Sequence, residues 1–119
     1  MINISFNNIS FDKGVTFKNI NTGIISVAVE GHAGFGKKGE DPVCAAVSVL
    51  THTLIASIAN MLRILPVVTQ KDGYEKVEVE LSNLPEDKNG ILRHLLNFYC
   101  IGIFEIESNY KGTLNINFE

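Results

Sequence analysis

Apolar and polar residues alternate along four segments of this chain, which is the pattern of β-strands that bury one face. The four segments are residues 2–6, 24–30, 74–81 and 112–118. A further segment, residues 15–17, fits either a short strand or a bend, because turn sequences at residues 12–14 and 21–23 lie on both sides of it. The strand over residues 24–30 leads directly into Gly31 and His32, so both residues lie at its end.

Apolar residues recur at steps of three and four in two longer segments, which predicts two amphipathic helices. The first helix covers residues 43–65, and Pro66 ends it. The second runs from about residue 86 to 108, and Phe98 and Ile101 broaden its apolar stripe. This breadth places the second helix either deep in the core or against a partner subunit. The stripe of the first helix comprises Val43, Val47, Leu50, Leu54, Ile58, Met61 and Leu65.

This order of strands and helices predicts an α+β fold, with a single mainly antiparallel sheet and two amphipathic helices packed on it. The chain has 119 residues, which is the length of one domain, residues 1–119. Hydrophobic residues make up 45% of the sequence and charged residues 19%. A chain of this composition can bury a core and does not belong to the disordered class.

The charge pattern argues against a nucleic-acid surface. The net charge is −3 and the Lys and Arg residues form no cluster, so we expect no direct binding to RNA or DNA. The sequence begins with a strand-like segment and lacks the sections of a signal peptide, and Asn60, Arg63 and Glu105 interrupt its apolar runs. We therefore expect no membrane span and a cytoplasmic location, where thiols stay reduced.

Two cysteines do not make a disulfide framework in a chain of this size. Cys100 lies in the middle of the second helix, where we expect it to pack. Cys44, in contrast, lies in the first turn of the first helix. Pro42 suits the first helical position, and Asp41 suits the N-cap, where its carboxylate accepts hydrogen bonds from the N–H groups of Val43 or Cys44. The helix dipole and the unpaired N–H groups then favour the thiolate of Cys44 over the thiol.

A cysteine nucleophile needs a base, and His32 is the candidate because it ends the strand that precedes this helix. His52 lies eight residues beyond Cys44, about 12 Å along the helix axis, which is too far for contact within one helix. We interpret His52 and His94 as polar-face residues. A metal site made from His32, Cys44 and His52 needs closer convergence and a fourth ligand, so we predict no metal site. A buried cysteine that only packs is the structural alternative for Cys44.

Residues 33–40 form a glycine-rich loop between His32 and the first helix. Its glycines, Gly34, Gly36 and Gly39, match part of a phosphate-binding loop, but the full fingerprint is missing and the spacing is wrong for it. A flexible surface loop is the simpler interpretation. The functional interpretation that we prefer is a mobile cover that closes over a bound peptide.

Two blocks of this sequence resemble the signature of the ribosomal-processing cysteine protease Prp family, also called the YsxB-like family. The blocks are Gly31-His32-Ala33 and Asp41-x-Val43-Cys44-Ala45-Ala46-x-Ser48. They occur in the family's order and at the family's separation, and the likeness extends over most of the chain. Pro42 departs from the pattern, which has a branched aliphatic residue at this position.

The resemblance implies a small bacterial protein, commonly a homodimer, that trims a ribosomal protein precursor. The substrate implied is a large-subunit ribosomal protein, the L-series member numbered twenty-seven, which loses a short N-terminal extension. Cys44 and His32 carry over as the catalytic pair, with no cofactor. Asp41 and Ser48 match the family's second block, and we count Gly31 and Ala45 with them as supporting residues. We assign Asp41 mainly to capping and secondarily to orienting His32.

Two rival functions fit the same residues. A non-catalytic dimeric module that binds ribosomal protein or assembly factors would use the broad apolar face of the second helix. A thiol redox sensor would use Cys44, which would change reversibly on peroxide treatment, and would cleave no peptide. Loss of cleavage on removing His32 separates the protease from the sensor.

In the protease, the backbone N–H groups around Cys44 and Ala45 would stabilise the oxyanion of the reaction intermediate.

Overall fold

A computed structural model describes residues 1–19, 23–34, 36–37 and 39–119, and five of its strands form one mixed sheet. The strands are β1 (Ile2–Asn7), β2 (Ile9–Phe11), β3 (Val15–Phe17), β4 (Ile24–Gly31), β5 (Val67–Lys71), β6 (Tyr74–Glu80) and β7 (Leu114–Phe118). The order across the sheet is β5-β6-β4-β1-β7, and every neighbouring pair is antiparallel except β1 and β7. β2 and β3 form a separate antiparallel pair.

The register brings the apolar positions of neighbouring strands onto one face of the sheet. Ile4 on β1 pairs with Val29 on β4 and with Ile116 on β7. Because side chains alternate between the two faces of a strand, Val27 and Val77, which pair with each other on β4 and β6, lie on this same face. This face carries the core of the protein.

Two helices cover this face. α1 (Pro42–Ser57) continues without a break as a π-helical turn, Ile58–Leu62. α2 (Glu86–Asn109) follows a short 3-10 turn, Leu81–Asn83. The helices approach closely at Gly102, where an added Cβ would lie 2.8 Å from Cδ1 of Leu50. The predicted α+β architecture, with two helices packed on a mainly antiparallel sheet, is therefore correct.

The structure contains two strands that the alternation pattern does not predict. β5 is an edge strand whose sequence, Val-Val-Thr-Gln-Lys, does not alternate, and Val67 and Val68 are exposed on it. β2 is only three residues long and pairs with β3, residues 15–17, in a second small sheet. The predicted turn at residues 21–23 lies outside the described residues except for Gly23.

The first helix ends at Leu62, earlier than the predicted residue 65. Arg63 adopts a left-handed conformation, with φ 55° and ψ 39°, which stops the helix before Pro66 is reached. The π-helical turn contains more residues per turn than an α-helix, so it shifts the apolar stripe. Leu62 is buried as a result, whereas Met61 and Leu65, which the stripe placed in the core, are exposed.

Phe98 and Ile101 on α2 are also exposed, Phe98 to 72%. The expectation that the breadth of this stripe reflects a deep position in the core is therefore wrong for these two residues. The buried face of α2 is formed by Leu92, Leu96, Tyr99, Cys100 and Ile103. The two exposed side chains broaden the apolar surface on the side of α2 that faces away from the core.

By length and composition alone, the segment Pro42–Leu62 could cross a membrane. Core helices of soluble proteins have the same length and composition. Here the segment packs against α2, and its buried residues, among them Val43, Val47 and Leu54, join one core with the sheet. The chain is a compact globule in which this helix is part of the core.

Replacing Leu96 by alanine is expected to lower the free energy of unfolding by about 2–5 kcal/mol, because the side chain is 0% exposed and its loss leaves a cavity. Leu65→Ala is the matched control, since it removes the same atoms from a side chain that is 93% exposed and should cost less than about 0.5 kcal/mol. Urea unfolding followed by circular dichroism measures both. Equal losses would contradict the helix end at Leu62.

Candidate active site

The start of α1 is built as the sequence predicts. Asp41 is extended, with φ −79° and ψ 115°, and Pro42 occupies the first helical position. The Oδ1 atom of Asp41 accepts hydrogen bonds from the backbone N–H groups of Val43 at 2.9 Å and Cys44 at 3.2 Å. The Asp41 side chain is buried, so this cap is shielded from water. It fixes the backbone that carries Cys44, which is half-buried in the first turn.

The Cys44 sulfur lies against the segment that contains His32. The backbone N–H of Ala33, the residue after His32, donates to Sγ of Cys44 at 3.5 Å. This contact fixes the sulfur at the N-terminal end of α1, against the backbone of the histidine segment. The contact was not predicted from the sequence, because it joins residues on two different elements.

The N–H groups that we expected to be free near Cys44 are already paired. The N–H of Cys44 donates to the Asp41 side chain, and the N–H of Ala45 donates to the Asp41 carbonyl oxygen at 3.0 Å. The cap and the first helical hydrogen bond use both donors. The N–H of Ala33 is the backbone donor that faces the sulfur.

His32 follows the end of β4 and is exposed. Its ring lies beside Gly73 in the turn between β5 and β6, where an added Cβ would lie 3.4 Å from Nε2 of His32. The N–H of Gly31 donates to the carbonyl oxygen of Gly73 at 2.9 Å, which ties the histidine segment to this turn. Gly73 has a φ of +71° and is a supporting residue that the sequence reasoning treated only as part of a turn.

Gly31 allows β4 to pass close to β1 before the chain reaches His32. Its φ is +102°, and an added Cβ would lie 2.5 Å from the carbonyl oxygen of Met1. Side chains larger than hydrogen would therefore meet both backbone strain and a clash with backbone atoms. This position needs glycine to place His32.

His32 and Cys44 line the same cleft, which has a volume of about 720 Å³. Its floor is formed by Ile2 and Val29 on the sheet, and Ser48, an exposed residue one turn after Cys44, lies on its helical wall. No hydrogen bond joins the His32 ring to the Cys44 sulfur in this arrangement. The structure thus brings the predicted pair to one cleft without direct contact.

The glycine-rich loop borders this cleft. Gly34, Gly36 and Gly39 are among its lining residues. Phe35 and Lys38 lie outside the described part of the chain, so the predicted movement of this loop stays a prediction. Within the described residues, no group of three or more His, Cys, Asp or Glu side chains is arranged to hold a metal ion.

The other end of the cleft carries polar side chains from α1, β5 and β6, namely His52, Gln70 and Glu75. His52 and His94 are exposed, as predicted, but Nε2 of His52 lies 3.0 Å from Oε2 of Glu75, a contact that the sequence did not suggest. Behind the helix, the hydroxyls of Thr51 and Tyr99 share a buried hydrogen bond of 2.9 Å. Burial raises the pKa of Tyr99 above its usual range, so its hydroxyl stays protonated.

Cys100 has a different environment from Cys44, and neither forms a disulfide. It is 0% exposed on the core side of α2, as its mid-helix position predicts. This burial raises the pKa of the Cys100 thiol to about 12. The thiol is therefore uncharged and inaccessible at neutral pH, whereas the Cys44 thiol opens onto the cleft.

The sequence profile of the family described as Cysteine protease Prp matches residues 14–115, which include both His32 and Cys44. The chain belongs to the cysteine protease Prp family. Family membership identifies the chain as a cysteine protease. No curated protein matches the sequence with significance.

Solved structures share this fold over the whole chain. Prp from S. aureus, described as an essential ribosomal processing protease, was solved with a covalently linked product peptide. It is 21% identical over 100% of both chains, with a TM-score of 0.74. The S. aureus protein with a substrate peptide is 20% identical over 100% of both chains, with a TM-score of 0.68. SMU.848 from Streptococcus mutans is 26% identical over 99% of this chain and 93% of its own, with a TM-score of 0.70.

Iodoacetamide at pH 8 is expected to modify one cysteine per folded chain, at Cys44, because Cys100 is buried and its pKa of about 12 leaves almost no thiolate. Both cysteines should react in urea, and folded Cys44→Ala should stay unmodified. Mass spectrometry of the intact chain and of its tryptic peptides measures the sites. Rapid modification of Cys100 in the folded chain would contradict its assignment as a packed core residue.

Proposed function

We propose that this chain is a cysteine endopeptidase that removes the N-terminal extension of a large-subunit ribosomal protein, the L-series member numbered twenty-seven, during ribosome maturation. The observation that carries the proposal is the cleft shared by Cys44 and His32 at the capped start of α1. Family membership supports the protease chemistry. The description of the S. aureus relative as a ribosomal processing protease, with peptides bound, supports the substrate class.

In the proposed reaction, His32 removes the proton from Cys44 and the thiolate attacks the scissile carbonyl carbon. A C–S bond forms, the peptide C–N bond breaks, and the His32 imidazolium protonates the leaving amine. Water, activated by the neutral imidazole, then hydrolyses the thioester and restores the thiol. The proposal requires the exposed His32 ring to turn toward the sulfur, and catalytic hydrogen bonds commonly tighten only when substrate is bound.

The neighbouring residues have positioning roles in this proposal. Asp41 holds the helix start, so it keeps Cys44 at the edge of the cleft. The N–H of Ala33 faces the sulfur and is therefore the better-placed backbone donor for the oxyanion, while Ala45 supports the helix start through its own hydrogen bond. Ser48 offers a hydroxyl to the bound peptide along the helical wall.

We also propose that the protein is a cytoplasmic homodimer that uses an exposed apolar face of the two helices. This face comprises Val49 on α1 and Phe98 and Ile101 on α2, all of them exposed. Val49 and Ile101 are the chain neighbours of Leu50 and Gly102, the residues that meet where the helices cross, so they lie near one another. Exposed apolar patches commonly mark protein interfaces. The two free thiols agree with a reducing compartment.

The same apolar face favours a second candidate function, a non-catalytic dimeric module that binds ribosomal proteins. Such a module would retain its binding after loss of the thiol and would process no peptide. The accessible thiol beside a histidine in one cleft supports the protease over this alternative, because a pure binding module has no need of either group.

Incubation of the ribosomal protein precursor with the wild-type chain is expected to shorten its N-terminus, because the thiolate of Cys44 cleaves the extension. Cys44→Ala and Cys44→Ser should show no cleavage, and His32→Ala should lose most of it, about 10²-fold or more for loss of a general base. Mass spectrometry of the precursor reads the product mass directly.

His94→Ala serves as the matched control, since it removes an exposed histidine on α2 that does not line the cleft. Its cleavage rate should equal that of the wild type. Normal processing by folded Cys44→Ala would contradict the protease proposal. No processing by a folded wild type, with an extension present on the precursor, would favour the binding module.

The double variant Phe98→Ser/Ile101→Ser is expected to be a monomer of 13.1 kDa, because it replaces the centre of the apolar face with small polar side chains. The wild type should have twice that mass by light scattering coupled to size exclusion. Leu65→Ser is the control, as it changes an exposed leucine in the connection between α1 and β5. A monomeric wild type, or a double variant that stays dimeric, would contradict this interface.

A further inference from the structure

Glu75 is an acidic side chain on the apolar face of the sheet. It pairs with Val29 on β4, and it shares the face of β6 with Val77 and Val79, which are both buried. The Glu75 side chain is only 13% exposed. A carboxylate among apolar neighbours loses hydration, so a protein places it there at a cost unless charged or polar partners offset that loss.

The partners of Glu75 leave one of its oxygens available. His52 from α1 and Gln70 from β5 both contact the same atom, Oε2, through their Nε2 atoms. Gln70 uses its amide NH₂ in this contact, so its carbonyl oxygen is left as an acceptor. His52 is 58% exposed, so water competes with its contact with Glu75. Oε1 of Glu75 and the Gln70 carbonyl oxygen are therefore two acceptors at one place, which suits a cation.

Glu75 and Gln70 line the same cleft as Cys44 and His32. His52 contacts Glu75, so it gives the position of Glu75 along α1. His52 lies eight residues beyond Cys44, or about 12 Å along the helix axis. An extended peptide advances about 3.3 Å per residue. A peptide with its scissile bond at Cys44 would therefore bring a side chain three or four residues away to Glu75. Between the two points, the floor of the cleft is apolar, with Ile2 and Val29.

We propose that Glu75, supported by Gln70 and His52, forms a subsite for a lysine or arginine side chain of the substrate peptide, three or four residues from the scissile bond. The inference rests on the proposed peptidase function and names one element of its specificity. The ammonium or guanidinium group would donate to Oε1 of Glu75 and to the Gln70 carbonyl oxygen. Charge-assisted hydrogen bonds of this kind are stronger than neutral ones, and apolar walls strengthen them further.

Among the described residues, the other charged groups in and beside the cleft do not provide this site. Asp41 already accepts two hydrogen bonds from the helix start. Lys71 lines the cleft but is exposed and follows Gln70 on β5, so its side chain leaves the strand on the opposite face. Glu78 lies on the opposite face of β6 from Glu75, beside Lys76 at 4.0 Å. Within the described part of the cleft, Glu75 is thus the carboxylate that fits the proposed subsite.

The test uses peptides that span the processing junction of the precursor, with Lys, norleucine or Glu placed in turn at each position within four residues of the scissile bond. Fluorescence anisotropy measures their binding to Cys44→Ala, and kcat/KM is measured with active enzyme. At one position, three or four residues from the scissile bond, Lys should be favoured over norleucine by about tenfold, the change expected for one charge-assisted hydrogen bond. Glu75→Gln should abolish this preference, so that the Lys and norleucine peptides bind to this variant equally.

Glu78→Gln is the matched control, because it removes the same charge from the same strand on the other face, and it should keep the Lys preference. Gln70→Glu adds a second carboxylate at an exposed edge position and should strengthen the preference, which tests the subsite even if Glu75→Gln folds poorly. Circular dichroism and a thermal melt establish that each variant is folded.

Three results would overturn the subsite: no Lys preference at any position, a preference that Glu75→Gln and Gln70→Glu leave unchanged, or no peptide binding at all. Failure of the subsite is distinct from failure of the protease. Precursor trimming without a Lys preference removes only the subsite. A Lys preference in binding that depends on Glu75, with no cleavage by the wild type, keeps the subsite and removes the protease.

Discussion

The hydrogen bonds that Asp41 accepts at the start of α1 hold the rest of the site in place. One carboxylate oxygen of Asp41 accepts hydrogen bonds from the N–H groups of Val43 and Cys44, and its carbonyl oxygen accepts one from Ala45. A helix start of this kind is rigid, because the residue before a proline is already restricted to extended conformations. The Cys44 sulfur therefore has a defined position relative to the sheet, and the segment that carries His32 and Ala33 must be brought to it.

The backbone of two glycines, Gly31 and Gly73, positions this segment. Gly31 turns sharply beside Met1, and its N–H is held by the carbonyl oxygen of Gly73 in the neighbouring hairpin. These contacts place His32 at the mouth of the cleft and Ala33 against the sulfur. The hairpin of β5 and β6 thus contributes to the cleft at a distance from Cys44, because its turn contacts the histidine segment and its strands supply the polar end of the cleft.

Local patterns in the sequence predicted the parts of the structure that local forces determine. The Asp41-Pro42 helix start, the buried Cys100 and the strand that ends at Gly31 are each decided by a few neighbouring residues. The end of the first helix was not predictable in this way, because a π-helical turn and a left-handed Arg63 follow from packing. The same holds for the site. The contacts of Ala33, Gly73 and Glu75 join different elements of the fold, so the periodicity of apolar residues along the chain does not predict them.

The parallel pairing of β1 with β7 has a consequence for how the chain folds. It joins Ile2 to Leu114, so β1, which lies next to β4 in the sheet, gains its second neighbour only when nearly the whole sequence is present. Pairing between such distant residues is slow, because the entropy of closing the intervening loop is lost before the contacts form. Until β7 docks, the apolar strand β1 presents an open edge that can pair with another chain. A nascent or truncated form of this protein is therefore the state most prone to aggregation, and the last strand protects the part of the sheet that lines the cleft.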